Sequence, residues 1–275
     1  MCLAVLALPS SSAWSWAVVA NRDEEHARPS LEMQPWEDNP QILAGRDLQA
    51  GGTWLGVRTD GRLALLTNVR EPGRFQTQAP SRGHLVEGFL KNSQTPADYL
   101  KGLQASANEY NGFNLLVGHN ADWHYASNRA NQWQQAVTPG FHGLSNALLD
   151  TPWPKLVRTR QAVTDVLTQT PQRVPTTSSI QTLLHSLAKI MQDDAPAPDV
   201  DLPQTGVGLE RERLLSSPFI RSDLYGTRCT TVVLQERNGP IYALEISYLP
   251  SGQMHGQRLW TSTPDQIWTP WSGES

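Results

Sequence analysis

Apolar and polar positions fall into blocks along the chain, and two apolar blocks open it. Residues 2–8 (CLAVLAL) and 14–20 (WSWAVVA) are near-continuous apolar runs of strand length, joined by the turn-rich Pro9-Ser10-Ser11-Ser12. Runs this uniform suit strands covered on both faces. A second pair, TWLGVRT (53–59) and RLALLTN (62–68), flanks Asp60-Gly61, a strong hairpin signal because both residues tolerate positive φ. Between the pairs, residues 24–50 hold three prolines and many charges, which predicts a long loop over one end of a sheet.

The period then changes. Residues 81–91 and 97–107 space their apolar positions three and four apart, and Thr95-Pro96 supplies an N-cap followed by a first-turn proline. Strand character returns at 113–118 and 123–127. Residues 141–153 read as irregular, and helices follow at about 154–168 and 178–192. Residues 193–208 are rich in proline and aspartate and read as an exposed loop. Strands close the chain at 229–236, 241–248 and 257–262, with Asn238-Gly239 as a turn. Hairpins in succession favour antiparallel pairing. The expected fold is therefore α+β: two stacked antiparallel sheets with helices on the outer faces, one domain over residues 1–275.

Composition narrows the function classes. Twenty-two Lys plus Arg against 26 Asp plus Glu give a net charge of −4, with no basic stripe, so a dedicated nucleic-acid binder is excluded. Ten tryptophans are many for 275 residues; most are expected at the edges of a core, with two or three lining a pocket. Two cysteines make no disulfide framework, and free thiols suit a reducing compartment. No positively charged leader precedes the first apolar run, and nothing approaches the roughly 20 apolar residues that cross a bilayer. The expectation is a cytoplasmic protein without a transmembrane segment.

The chemistry centres on Cys2. Removal of Met1, usual before a small residue, would leave a thiol beside a free α-amino group. With an amine pKa near ~7.7–8.0 and a thiol near ~8.5, the two form a self-contained nucleophile and base. If the first two runs form a hairpin, Arg22 and Asp23 return to the level of Cys2: Asp23 can accept from the amine, and Arg22 can hold a thiolate by charge. Asn68 and Asn146 end apolar runs and are candidate oxyanion donors, or else simple turn residues. Arg228, opening a late strand, is a second candidate cation at the same end. His119, His124 and His142 have no carboxylate at metal-ligand spacing, so no metal site is expected.

Several stretches together resemble one known family. Met-Cys at the start, ANRDE (20–24), LLTNVR (65–70), HGLSNA (142–147), DTPWPK (150–155) and GTRCTTVVL (226–234) are similar to the NRDE-protein family, also called the transport and Golgi organisation protein 2 family. That family resembles the N-terminal nucleophile hydrolases of the penicillin V acylase and bile-salt hydrolase group. The resemblance implies a four-layer αββα sandwich. It implies Cys2 as nucleophile, Arg22 and Asp23 as its flanking pair, Asn68 and Asn146 at the oxyanion positions, and Arg228 as a distal arginine. Arg22 and Asp23 are adjacent here, where the acylases separate that pair by two residues, and Glu24 matches no acylase position.

Three functions follow as expectations. The first is an N-terminal-cysteine amidohydrolase or acyltransferase that acts on a non-peptide amide or acyl bond and requires no cofactor. The second, implied by the resemblance, is a carrier that uses the same pocket for haem or an acyl-coenzyme A without turnover. A pure scaffold is the third and leaves the clustered Cys2, Arg22, Asp23 and Arg228 unexplained.

Overall fold

The computed structural model describes residues 2–10, 12–170 and 176–271. The expected loss of Met1 concerns a residue outside that set. In chain order the first strands are β1 (Cys2–Leu8), β2 (Trp14–Glu25), β3 (Ser30–Trp36), β4 (Asn39–Asp47), β5 (Leu55–Arg58) and β6 (Arg62–Asn68). Helices α1 (Gly83–Lys91) and α2 (Pro96–Leu103) follow, then β7 (Phe113–His119), β8 (Asp122–Ser127), β9 (Gln134–Ala136) and β10 (Gly140–Leu144). Next come α3 (Pro154–Gln169), α4 (Thr177–Ile190) and α5 (Leu209–Leu214). The chain ends with β11 (Tyr225–Glu236), β12 (Ile241–Tyr248), β13 (Met254–Ser262) and β14 (Trp268–Pro270).

The strands form two antiparallel sheets. The first runs in the order β10-β1-β2-β11-β12-β13-β14, and the second is a meander from β3 to β9. Three apolar layers hold four structural ones together. Leu3, Val5 and Val19 of the first sheet pack on Leu156, Leu184 and Leu187 of α3 and α4. On the opposite face, Leu6, Trp16 and Val18 meet Leu43, Leu65 and Trp123 of the second sheet. Ala64, Leu115 and Val117 then turn their backs on the first sheet and pack on Val86, Phe89 and Leu100 of α1 and α2. The result is an αββα sandwich. It explains the uniform apolarity of β1: odd positions face helices, even positions face the other sheet, and neither face meets water. Gly118 pairs with Trp123 across β7 and β8, and the indole lies where a β-carbon would be, so only glycine fits there.

The predicted loop over residues 24–50 is corrected. β2 continues to Glu25, and β3 and β4 form a hairpin at the edge of the second sheet. An edge strand has half its ladder free, so it accepts Pro35 and a run of charges that would not sit in a central strand. Residues 141–153 are likewise not irregular throughout: Gly140–Leu144 pairs with β1 as the opposite edge of the first sheet. The capping signal of α2 holds, with Thr95 Oγ1 accepting from the Asp98 N–H at 3.1 Å. Among the described residues, no helix is long and apolar enough to cross a membrane.

Candidate active site

One end of the sandwich gathers the start of β1, the ends of β2 and β6, and the start of β11. Cys2 lies opposite Arg22 in the β1–β2 register, and Arg22 lies opposite Cys229 in the β2–β11 register. Alternation along β1 and β2 puts Cys2 and Arg22 on the face toward the second sheet, and Asn21 and Asp23 on the face toward the helices. Between Thr227 and Cys229 the register slips by one residue, so Arg228 is the extra residue of a bulge. Two strand spacings of ~4.8 Å separate Cys2 from Cys229, too far for a disulfide, and both thiols are free.

A cleft of about 920 Å³ opens at this end and is lined by Cys2, Arg22, Asp23, Asn68 and Arg228 among others. Asn146 is buried and does not line it. The Asn146 amide instead donates to the main-chain oxygen of Asn68 at 3.0 Å, while its own main-chain carbonyl accepts from the Arg70 N–H at 2.8 Å. The turn after β10 is stitched to the second sheet on both sides of this contact. Thr67 Oγ1 donates to Ser145 O at 2.5 Å, and Asn114 Nδ2 donates to Thr67 Oγ1 at 3.0 Å and to Ala147 O at 2.8 Å. Asn68 and Asn146 are therefore brought together, with Asn68 at the cleft surface.

The cations of the cleft are unequally engaged. Arg228 spends one nitrogen on the carbonyls of Glu25, His26 and Arg28, at 2.9, 3.2 and 3.1 Å, and so clamps the β2–β3 turn. Arg28 is paired with Asp47, and Arg258 with Glu32, each in close contact. Arg22 meets Glu24 only at 3.9 Å. Arg82 donates to the Gly112 carbonyl at 3.0 Å, and among the described residues no carboxylate lies within ion-pair distance of it.

Burial dominates the electrostatics. Cys2 is 7 % exposed, and burial pushes its thiol up; the Asp23 carboxylate adds to that, and the Arg22 guanidinium opposes it. Asp23 is 1 % exposed, and burial raises its carboxyl too, although Lys155 and a 2.7 Å hydrogen bond from Thr227 Oγ1 draw it down. Behind Asp23 lies a group that the sequence does not single out. Lys155, in the first turn of α3, is 1 % exposed, and burial lowers its ammonium to about 8 against the pull of Asp23. Arg70 and Glu212 form a buried ion pair at 2.7 Å, with the guanidinium stacked 4.7 Å over Trp153. Lys155 and Arg70 both lie in stretches that carry the family resemblance, yet a lone basic residue in a motif has no readable pocket. Of the ten tryptophans, Trp54 lines the cleft, while Trp14, Trp16, Trp36, Trp123 and Trp268 are core.

Comparison of the sequence with known proteins points to one family. The sequence pattern of Transport and Golgi organisation 2 matches residues 1–250. The Transport and Golgi organization protein 2 homologs of Bos taurus and Homo sapiens are each 35% identical to the chain. The first match covers 88% of this chain and 90% of the bovine protein, the second 90% and 91%. The Drosophila melanogaster protein is 23% identical, over 86% of this chain and 87% of its own. Among solved structures, a conjugated bile acid hydrolase of Clostridium perfringens overlaps 99% of this chain and 97% of its own, at a TM-score of 0.48 and 7% identity. An N-acylethanolamine-hydrolyzing acid amidase ortholog of Caenorhabditis elegans overlaps 85% and 92%, at 0.37 and 12%. The chain belongs to the Transport and Golgi organisation 2 family.

Proposed function

We propose that the cleft carries out acyl transfer through Cys2, on a non-peptide amide or another acyl bond of a substrate that bears an anionic group. The observation that carries this reading is the register of β1 and β2. It places the Cys2 thiol in a cleft, with the Arg22 guanidinium across the ladder and the Asp23 carboxylate one residue further on.

The steps follow from these positions. Once Met1 is removed, the Cys2 α-amino group accepts the thiol proton as Sγ bonds to the substrate carbonyl carbon. Negative charge develops on the carbonyl oxygen, and the Asn68 side-chain amide is the donor at the cleft surface to receive it. Asn146 holds the Asn68 main chain in place. The C–N bond then breaks, the α-ammonium returns its proton to the leaving amine, and a thioester remains on Cys2. Water attacks that thioester, the α-amine takes one proton from the water and passes it to the departing Sγ, and a carboxylic acid leaves and ionises in solvent. Arg82, a cleft guanidinium with no acid at ion-pair distance among the described residues, supports an anionic substituent on the substrate.

A second reading has its own observation. Burial raises the Cys2 thiol, which favours its neutral form and suits a pocket that holds a ligand without attacking it. In that carrier an acyl ligand with a charged head group, such as an acyl-coenzyme A, fits the arginines of the cleft. Haem has less support, because Trp54 is the tryptophan available for stacking.

Cys2→Ser and Cys2→Ala separate the two. The enzyme reading expects both variants to bind a p-nitrophenyl acyl ester or an acyl-coenzyme A as wild type does, while losing turnover. Unchanged binding with no acyl group ever found on wild-type Cys2 replaces the enzyme by the carrier.

A further inference from the structure

The proposed steps give Glu24 no work, yet it stands between two arginines of the cleft and is hydrogen bonded to neither. Its Oε2 lies 3.9 Å from Arg22 Nη2 and 4.0 Å from Arg28 Nε, beyond hydrogen-bond length in both cases. Its Oε1 accepts from the Glu25 N–H at 3.0 Å. Two other ion pairs along the same cleft are close. Arg28 meets Asp47 at 2.6 Å, and Arg258 meets Glu32 at 2.7 Å.

Strand alternation puts Glu24 on the same face of β2 as Arg22, two residues further along. The carboxylate therefore stands just beyond the level of Cys2 in the β1–β2 ladder, on the face that Cys2 shares. Both arginines are held by other groups. Arg28 is tied to Asp47, and Arg228 grips the main chain of the turn that carries Arg28. Arg22 is buried, and its Nη1 reaches Ser30 Oγ at 3.5 Å. Glu24 is the looser member, with 27 % of its side chain exposed, so it has water to turn to. Asp23 and Glu245, the buried carboxylates of the cleft, are instead fixed by hydrogen bonds from Thr227 Oγ1 and the Met33 N–H.

We infer that Glu24 is a specificity-determining residue: its carboxylate fills the gap between Arg22 and Arg28, and an anionic group of the substrate gains those two guanidiniums by displacing it. The inference rests on the anionic substrate of the proposed function and names where that charge is received beside Cys2. With Glu24 in place, Asp47 and Glu24 offset the two positive charges, and a passing anion gains little. An anion that enters must replace a carboxylate already seated there, so a group of carboxylate shape and charge is favoured over others. Arg82 remains a guanidinium of the same cleft for an anion that has entered.

The test compares iodoacetate with iodoacetamide, reagents of similar shape and different charge, in wild type, Glu24→Gln, Glu24→Asp and Glu25→Gln at low ionic strength. Each reagent loses iodide to Sγ, and each rate is read at the Cys2 peptide by mass. The ratio of the two rates cancels changes in thiol reactivity and in access, which a merely structural role would move. In Glu24→Gln the ratio should rise by about fivefold or more, the effect of one unit charge removed from beside the anion. Glu24→Asp keeps the charge and should stay near wild type. Glu25→Gln removes an equal charge from the other face of β2 and should change the ratio far less. An unchanged ratio in Glu24→Gln overturns the inference. A fall overturns it as well, because Glu24 would then be holding Arg22 in place for anions. An equal rise in Glu25→Gln would make the effect the field of the whole cleft mouth, and an equal rise in Glu24→Asp would make it side-chain length; either result overturns the inference. No substrate enters, so a failure to find acyl transfer leaves the ratio readable, and an unchanged ratio leaves Cys2 acylation untouched.

Discussion

Asn146 gives its side-chain amide to the main-chain oxygen of Asn68, 3.0 Å away, across the gap between the two sheets. The contact couples the turn after β10 to the end of β6 and leaves Asn68 at the cleft. Two residues of the same type at one site thus have different work. Asn68→Ala removes the donor itself and should lower kcat for a p-nitrophenyl acyl ester by about 100-fold or more, with KM little changed. Asn146→Ala should reduce kcat by a smaller factor and also lower stability by about 0.5–1.5 kcal/mol, because it removes a part-buried hydrogen bond between the two sheets. Steady-state kinetics with urea unfolding separates the two. Equal kinetic losses and no stability loss at Asn146 would place both amides on the substrate.

Arg82 should govern affinity and not chemistry. Arg82→Gln removes a charged donor from the cleft and should raise KM for an ester bearing a carboxylate by about tenfold or more, a charge-assisted hydrogen bond being worth about 1.5–3 kcal/mol. The matching neutral ester should be hydrolysed as before. An equal change for both esters would remove the anionic group from the proposed substrate.

The Arg70–Glu212 pair is enclosed, with 4 % and 6 % of the two side chains exposed. Removing one charge strands the other, so Glu212→Gln should cost about 3–5 kcal/mol in urea unfolding. Arg70→Met combined with Glu212→Gln should recover much of that loss. If each single change costs less than about 1 kcal/mol, the surface-pair value, the pair is not closed to water.

His142 and Asp150 give a pH signature. The hydrogen bond to Asp150, at 2.8 Å, is the main cause holding the imidazole above its usual value, and the 2.9 Å contact with the Thr138 carbonyl adds to it. For Asp150 burial acts upward, but the His142 hydrogen bond and the Gly143 N–H outweigh it and hold the carboxyl low. The histidine is raised on folding, so its contribution is fully present below its unfolded value of ~6.5 and is lost as pH climbs through the folded one. The aspartate is lowered, so its contribution is present above ~3.9 and is lost as pH falls through its folded value. His142→Asn should therefore reduce Tm most between about pH 4 and 6.5, and the gap to wild type should narrow by about pH 9. A gap that is constant with pH would make the contact a matter of packing alone.

What could be read in the sequence depended on burial. β1 and β2 are covered on both faces, and their apolar runs, together with Asn21-Arg22-Asp23 at the far end, were enough to set Arg22 across from Cys2. The β3–β4 hairpin was missed for the opposite reason. It lies at a sheet edge, half its surface meets water, and Pro29, Pro35 and Pro40 with the charges between them carry the signature of a loop. Asn146 was legible as part of a motif but not as a partner of Asn68, because 78 residues separate them and only the stacking of the sheets joins them. Lys155 was hidden for a similar reason: the sequence shows a helix start at Pro154, and nothing in that start says that the next side chain is buried.

The central claim is that Cys2 carries a free amine and reacts as a nucleophile. Intact-protein mass spectrometry before and after exposure to a p-nitrophenyl acyl ester reads both at once. The account predicts a chain lacking Met1 that gains one acyl group in wild type, mapped to Cys2, and none in Cys2→Ala. A chain that retains Met1 and still hydrolyses the ester, or an acyl group that persists in Cys2→Ala, would contradict it.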